Sequence, residues 1–434
     1  MRDRWKVGRV AEDTASLRKS LDIYRGLVEV SGLINSITEY EELLRAILDV
    51  ARRVMFAEAA SLFLRDPENS HLNLAMASYS DGEFVQPKIR IEPGQGIAGW
   101  VLQHGESQLV PDAYADSRFF READKATGFL TRSILCAPLR HEGALIGVIQ
   151  VLNPRGKAAF EPEDLEGFDA YSNLIAIAIE KLRAIERIRQ QERVERDVAI
   201  AAEIQQELLS RAVPDEVPGV TFASYNKAAA DVGGDFFFVF PRSAYEIYFA
   251  IGDVSGKGIP ASLLMAQTLS AMQFVFATTT GPADALTMLN TTLHDHIVRG
   301  MFVTTLVGKM LPESRTIELA SAGHCRPWLV RVEGGPVEVL TEGALPLGVL
   351  PLVSYRQLSI DLAPGDYLVC YTDGLSESRN PESGQFLDER LSELLLPQFR
   401  GAQHIVDYLV DAERDHRENT AARDDLTLLV GSFR

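Results

Sequence analysis

Only three cysteines, Cys136, Cys325 and Cys370, occur in 434 residues, and no two of them form a Cys-x-x-Cys pair. An odd, scattered set argues against a disulfide framework or a zinc site and points to a reducing compartment. Basic residues are also short: 43 Lys and Arg against 61 Asp and Glu leave a net charge of −18. A nucleic-acid groove needs a Lys/Arg surplus on one face, so nucleic acid is not expected as a partner. The N-terminal MRDRWKVGRVAEDTASLRKS has no apolar core, so no signal peptide is expected. The longest apolar helical run, around Leu174 to Ile179, is too short to cross a bilayer. A cytoplasmic location without membrane contact is the expectation. No internal repeat and no low-complexity tract is visible.

At this length two or three folded units are expected. Residues 1–23 are polar and read as a lead-in. From Leu21 to Met55 apolar residues recur at helical spacing, with Leu43, Leu44, Ile47 and Leu48 on one face. Strands are expected at Ala60–Leu64 and Leu72–Ala77, separated by the turn Asp66-Pro67-Glu68-Asn69. Two more, Ser133–Leu139 and Ala144–Leu152, flank the hairpin signal His141-Glu142-Gly143. A long helix is expected from near Glu163, after Pro162, to Pro214. Its apolar stripe is Ile175, Ile179, Leu182, Ile185 and Ile188, then Val194, Val198, Ala201, Gln205 and Leu208. That spacing fits a coiled coil or a long helix–helix contact.

Past Gly219 the pattern changes to short strands with tight turns. Strands are expected at Phe236–Phe240, Tyr245–Ile251, Val303–Met310, Thr316–Ser321, Trp328–Val332, Tyr367–Tyr371 and Leu426–Gly431, with helices at Ala261–Thr278 and Ala283–Arg299. The fold class is α+β. The expected division is 24–173 for a first domain, 174–213 for a helical linker and 214–434 for a β-rich second domain.

Four aspartates share one placement in the second domain. Asp253 and Asp373 each end a strand, and Asp235 and Asp424 each precede one. Strands 236–240 and 245–251 are close enough to pair as a hairpin, which sets Asp235 beside Asp253. Antiparallel pairing of the strands after Asp424 and before Asp373 does the same for that pair. Any one of these aspartates, flanked by glycine, reads as an ordinary turn residue. Their shared position at strand ends is what suggests a site. Converged carboxylates repel unless a cation joins them. Oxygen ligands select hard ions, so two Mg²⁺ or Mn²⁺ ions are expected. Water held between two such ions attacks phosphorus in line, and no Ser, Cys or His nucleophile is needed. Gly233-Gly234, the loop Gly252 to Gly258 and Gly374 let the backbone bend near the rim. His294, His296 and His324 read as ordinary polar residues, and Lys257 as a solvated loop lysine, with contact to a substrate phosphate the alternative.

The segments VGGDFF (232–237), GDVSGKGIPASLLMA (252–266), SAGHCRPWL (321–329), YTDGLSE (371–377) and RDDLTLLV (423–430) resemble, in order, the motifs of PPM metal-dependent protein Ser/Thr phosphatases of the bacterial SpoIIE/RsbU type. AAEIQQELLSRAVP is similar to the helix that leads into that domain. The resemblance covers roughly 200 to 434 and implies an αββα sandwich. It implies that Asp253 bridges two metals, that Val254 offers its carbonyl, and that Asp235, Asp373 and Asp424 complete the ligands, with Asp425 the lesser of its pair. Catalysis would run through Asp253 and Asp373, acting through the metal-bridged water. The implied substrate is phospho-Ser/Thr on a regulatory protein of the anti-anti-sigma, STAS type. Many relatives carry a further Asp where this chain has Phe238, so any third-metal role of that carboxylate is missing. Residues about 24 to 180 resemble a GAF domain through PGQGIAGWVLQHGE, VPDAYADSRF and APLRHEGALIGVIQVLN followed by FEPEDLE. The GAF ligand is unknown. Pro154 after Asn153 departs from the cyclic-nucleotide signature of some relatives. A homodimer through the linker helix is expected.

Two rival readings stand beside this one. GGDFF superficially resembles the GGDEF signature of diguanylate cyclases, but the Glu is missing and the later Asp motifs have no cyclase counterpart. A dimeric scaffold with a degenerate, non-catalytic phosphatase is the other rival, with Phe238 its best support and the four intact Asp positions against it.

Overall fold

The computed structural model describes residues 28, 32, 37 and 39–434, apart from 67–68, 80–81, 87, 123, 125–127, 334, 340, 342, 383–389, 396–398 and 419. The lead-in at 1–23, most of the helical region expected before residue 39, and Pro67 and Glu68 of the expected turn lie outside the described residues. Two compact units emerge, Met1–Glu192 and Arg193–Arg434.

The first unit is built on a seven-stranded sheet of order β3-β2-β1-β7-β6-β5, with β4 (Arg90–Ile91) beside β2 and β3 (Phe84–Val85) at the edge. Its centre is β1 (Ala57–Arg65), β6 (Ile134–His141) and β7 (Ala144–Pro154), with β2 (Leu72–Ser78) outside β1 and β5 (Gln108–Val110) outside β6. At the β6–β7 turn, Glu142 and Gly143 both have positive φ, 48° and 83°, as a two-residue turn matching strand twist requires. On one face pack α1 (Tyr40–Val54) and the first half of α3 (Pro162–Ser210), through Leu43, Ile47, Phe168, Tyr171 and Ile175. The charges of α1 run with the helix dipole, Glu41 and Glu42 first and Arg52 and Arg53 last. The opposite face carries α2 (Gly96–His104), whose Ile97 and Val101 are buried. Asn153 is fully buried at φ 56°. Its amide accepts from the Arg132 N–H (2.7 Å) and donates to the Leu130 carbonyl (2.8 Å), so its work is structural.

The α3 helix is continuous over 49 residues, about 70 Å at 1.5 Å per residue, and it joins the two units. The stripe expected along it is not uniform. Ile175, Ile179 and Leu182 are buried in the first unit, and Gln205 and Leu209 in the second. Leu208, expected on the stripe, is exposed, as are Ile188, Val194, Ile200 and Ile204.

The second unit is two five-stranded antiparallel sheets face to face. With β12 (Thr316–Ala322), β13 (Trp328–Arg331), β14 (Gly335–Glu338) and β15 (Gln357–Asp361), one has the order β15-β12-β11-β10-β9, the other β14-β13-β16-β17-β8. The strands that matter for the site are β8 (Val220–Lys227), β9 (Phe236–Pro241), β10 (Ile247–Val254), β11 (Val303–Leu311), β16 (Tyr367–Tyr371) and β17 (Leu426–Phe433). Phe236, Phe249, Leu368 and Leu429 fill the space where the sheets meet. Outside the first sheet lie α4 (Ile259–Thr278) and α5 (Pro282–His294), each begun by a proline in its first turn. Two short helices, α6 (Asp373–Ser376) and α7 (Leu391–Leu394), precede α8 (Ala402–His416), which covers the second sheet through Ile405, Val406 and Leu409. This is the αββα arrangement that the resemblance implied.

Three sequence readings need correction. The helix expected to Arg299 stops at His294. Strand β8 and helix α8 were not anticipated, although Ile405, Val406 and Leu409 after Gly401 are a legible amphipathic signal. Leu174 to Ile179 is not the longest apolar helical run: α4 has the length and apolarity of a membrane span. Half of its apolar window is buried inside the unit, as a core helix would be.

Candidate active site

The β9–β10 hairpin pairs Phe236 with Gly252, so Asp235 and Asp253 sit opposite each other at one end of the first sheet. In the second sheet β16 pairs antiparallel with β17, Tyr371 opposite Leu428, and the Thr372 N–H continues the ladder to the Thr427 carbonyl (3.1 Å). That brings Asp373 beside Asp424 and Asp425. The two sheets face each other, and Asp253 feels the charges of Asp373 and Asp424 directly. All four sequence-selected aspartates therefore share one rim.

Their environments differ. Asp235 is only 2% exposed and accepts a hydrogen bond from the Thr372 hydroxyl (2.7 Å). Burial, then the charge of Asp253, pushes it well above the usual carboxylate range. Burial, then Asp373 and Asp424, pushes Asp253 up to about 7. Burial, then Asp424 and Glu377, raises Asp373. The Asp235 and Asp253 carboxylates lie close enough that the charge of Asp253 raises the proton affinity of Asp235. Such a cluster is short of positive charge, and the donors are all oxygen. Both features fit a hard divalent cation. Among the described residues no three His, Cys, Asp or Glu side chains stand grouped so that together they could hold a metal ion. An ion that keeps several of its waters needs only one or two carboxylates.

Asp424 and Asp425, neighbours in sequence, do different work. Asp425 is buried, and its two oxygens accept the backbone N–H groups of Ala229 (2.8 Å) and Gly234 (2.7 Å). It clamps the loop that carries Asp235. Asp424 faces outward, with Lys257 Nζ 3.0 Å from its carboxylate. Lys257 also donates to the Arg423 carbonyl, so this exposed loop lysine stands at the rim.

The glycines matter here for space more than for bending. The β9–β10 register is regular. A Cβ on Gly233 would lie 2.2 Å from an Asp425 oxygen, and one on Gly234 would lie 2.7 Å from the Val254 carbonyl oxygen. In the loop before α4, Gly256 and Gly258 have φ of 95° and 75°, the left-handed region that glycine tolerates.

Other groups near the rim are chemically quiet. Burial pushes the Cys325 thiol up to about 12, which removes a thiolate nucleophile at neutral pH. Burial pulls His324 down to about 4, leaving a neutral ring whose Nδ1 lies 3.0 Å from the Thr304 hydroxyl. Thr304 pairs with Asp253 across the β10–β11 ladder. His294 ends its helix, with its Nδ1 3.1 Å from the carboxylate of the C-cap residue Asp295. Phe238 points away from the rim, stacked between Phe240 and Phe276 at 6.2 and 6.0 Å.

One contact at the rim escaped sequence reading. Gln205, on the last turns of α3, donates to the Gly233 carbonyl (2.7 Å) and accepts from the Gly233 N–H (3.1 Å). Its signal was a polar residue inside an apolar stripe.

Residues 243–434 match the model of stage II sporulation protein E (SpoIIE), and residues 39–179 match that of the GAF domain. The SpoIIE match begins after Asp235. Over 242 residues the chain is 29% identical to the phosphoserine phosphatase RsbU of Bacillus subtilis (strain 168), covering 55% of this chain and 71% of that protein. Over 192 residues, 42% of this chain, it is 29% identical to a probable 3',5'-cyclic phosphodiesterase, pde-5, of Caenorhabditis elegans, of which it spans 26%. The SiaA-PP2C domain of Pseudomonas aeruginosa superposes with a TM-score of 0.51 at 20% identity, covering 57% of this chain and 98% of that domain. That likeness shows the fold.

Proposed function

This chain carries a GAF domain followed by a SpoIIE-type PPM phosphatase domain, and from that premise we propose a sensor-regulated, metal-dependent protein phosphatase acting on phosphoserine or phosphothreonine of a regulatory partner. The observation that carries the reading is the convergence of Asp235, Asp253, Asp373 and Asp424 at one end of two facing sheets. The substrate we propose is a phosphorylated STAS-type protein, on the likeness to the phosphoserine phosphatase RsbU.

Asp235, Asp253, Asp373 and Asp424, with the Val254 carbonyl, would hold two Mg²⁺ or Mn²⁺ ions. When bound, such ions supply the Lewis acidity and charge neutralisation that phosphate-ester hydrolysis needs. The chain's own part is positional. The Thr372 hydroxyl orients Asp235, and the Asp425 clamp fixes the loop in front of it. Lys257 adds positive charge at the open side of the rim. The high thiol pKa of Cys325 and the neutral ring of His324 leave no competing nucleophile or acid. Phe238 fills space against α4 in place of the further carboxylate of relatives, which favours a two-ion site.

Regulation would pass through α3. Gln205 ties that helix to Gly233, two residues before Asp235, so a shift of the helix moves the loop that the Asp425 clamp holds. The exposed Ile188, Val194, Ile200, Ile204 and Leu208 offer apolar surface for a second copy of the helix, and we propose a homodimer formed there, in the reducing cytoplasm that three free thiols suit. The experiment that tests the whole reading is Mn²⁺-dependent release of phosphate from a phosphoserine protein, with the full chain and with residues 1–190 removed. Metal-dependent release by the full chain, changed severalfold by the truncation, is the expected result. No release at any metal concentration would favour the scaffold, and indifference to truncation would sink the regulatory part.

A second expectation concerns pH. Asp253 titrates at about 7 in the metal-free protein, against an ordinary 3.8. A folded-state pKa above the unfolded one gives a stabilising contribution that is full below 3.8 and is lost as pH rises to about 7. Above that, the metal-free rim carries unrelieved negative charge. Metal and proton therefore compete for Asp253. Calorimetric titration with Mg²⁺ is expected to give at least about tenfold weaker affinity at pH 6 than at pH 8, with protons released on binding. Equal affinities at the two values would remove Asp253 from the ligand set.

A further inference from the structure

Beside the rim lies a second cavity, about 810 Å³, that the proposed chemistry does not use. It reaches from Gly374 and Asp424 to the C-terminal end of α8, between that helix and the segment after α6. Its basic lining is Lys227, Arg379, Arg414, Arg417 and Arg423. Four acidic residues face them, but two are already engaged. Glu413 is buried, pairs with Arg417 (2.8 Å) and accepts from the Ser378 hydroxyl (2.9 Å). Asp424 holds Lys257. Glu377 and Glu382 remain. Among the described residues neither Lys227 nor Arg423 has a carboxylate within ion-pair distance, and Arg414, paired with the exposed Asp411, is half exposed. A chain of net charge −18 thus keeps, at the mouth of its carboxylate rim, a cleft whose lining holds five basic side chains against four acidic ones.

We infer that this cleft docks an acidic segment of the phosphoprotein substrate, the residues flanking the phosphorylated side chain, and so sets substrate choice. The inference rests on the phosphatase reading and deepens it. Charge supports the occupant. A phosphate approaching carboxylates needs local positive potential, and a cationic wall next to the rim supplies it for the flanking residues too. Arginine also fits carboxylates by its paired donors, which gives register as well as attraction. The cleft opens directly onto Asp424, so a segment lying in it has its neighbouring residue at the rim.

The test uses the full chain with Mg²⁺ and a fluorescein-labelled short peptide rich in Asp and Glu, read by anisotropy against the same peptide with Asn and Gln in their place. The acidic peptide is expected to bind at least about tenfold more tightly at low salt. That preference should shrink as salt rises from about 0.05 M to about 0.5 M. The paired change Lys227→Glu with Arg414→Glu should abolish it, and the milder pair Lys227→Gln with Arg414→Gln should reduce it. Equal affinity for the two peptides, or a preference unaltered in both variants, would overturn the inference. So would tighter binding of a short RNA than of the acidic peptide. Binding needs no turnover, so the two readings fail separately. Acidic preference without hydrolysis of a phosphoserine peptide sinks the phosphatase and keeps the cleft. Hydrolysis indifferent to flanking acidity sinks the cleft alone.

Discussion

Asp253→Asn should lower metal-dependent phosphoserine hydrolysis by about three orders of magnitude or more, while leaving the fold intact. Asparagine keeps the shape of the side chain at the end of β10 and removes the charge. Deleting one preorganised electrostatic group at a reacting centre typically costs about 10²–10³ in rate, and at the proposed metal site the loss of Asp253 would weaken ion binding as well. The same substitution should raise the melting temperature of the metal-free protein at pH 8. Asp253 is largely buried near Asp373 and Asp424, and these push its carboxyl up to about 7. Above that pH the wild-type rim is strained by like charge, and the neutral amide relieves it. Lost activity with gained stability is the signature of a binding site, because sites trade stability for function. A variant with near-wild-type rates, or with a lower melting temperature in EDTA at pH 8, would remove Asp253 from the centre of the site.

Gly374→Ala should be the most damaging single methyl in the second unit. A Cβ at Gly374 would stand 1.8 Å from the Asp425 carbonyl oxygen and 2.7 Å from its carbon. Both are backbone atoms at the start of β17, a strand buried along its whole length, so neither moves without breaking the ladder. Overpacking of this kind typically costs about 1–3 kcal/mol, and a clash with backbone belongs at or above the top of that range. The displaced turn also carries Asp373 away from Asp424, so hydrolysis should fall by about a hundredfold or more. Gly256→Ala is the fitting control. Nothing lies within 4 Å of a Cβ there, and only φ of 95° resists it, a cost of about 1 kcal/mol. Urea unfolding of the two variants separates the mechanisms, and similar losses in both would show that close approach at Gly374 is not the constraint.

The strands that build the rim were readable because each joins an apolar run to a turn, as in YEIYFAIG before Asp253. The placement of each aspartate followed from antiparallel pairing alone. What the sequence could not show was that the two pairs belong to different sheets, and that only the stacking of those sheets makes four carboxylates one site. The Asp424–Asp425 pair was ambiguous for a related reason. Which of two adjacent acids turns outward depends on the register of β17 against β8 and on where the Ala229 and Gly234 amides lie, and both are tertiary facts. At Gly233, Gly234 and Gly374 the constraint is close approach, at Gly256 and Gly258 it is backbone conformation, and the two leave the same mark in a sequence. Strand β8, VTFASYNK, escaped notice because its polar residues dilute the alternation, and its place beside β17 comes from the partner strand.

The long α3 helix has a middle stretch, from Ile188 to Ile200, that is exposed almost throughout. Each end is anchored by its own unit, so little packing constrains the residues between. Such a stretch is a natural splice point. A different input module can be joined there without disturbing either core, provided that the helix stays continuous and the join preserves rotational phase, because each residue added or removed turns the Gln205 face by about 100°. On the proposed regulation, what is sensed and what is cleaved would be separate, and what passes between them would be the angle of one helix.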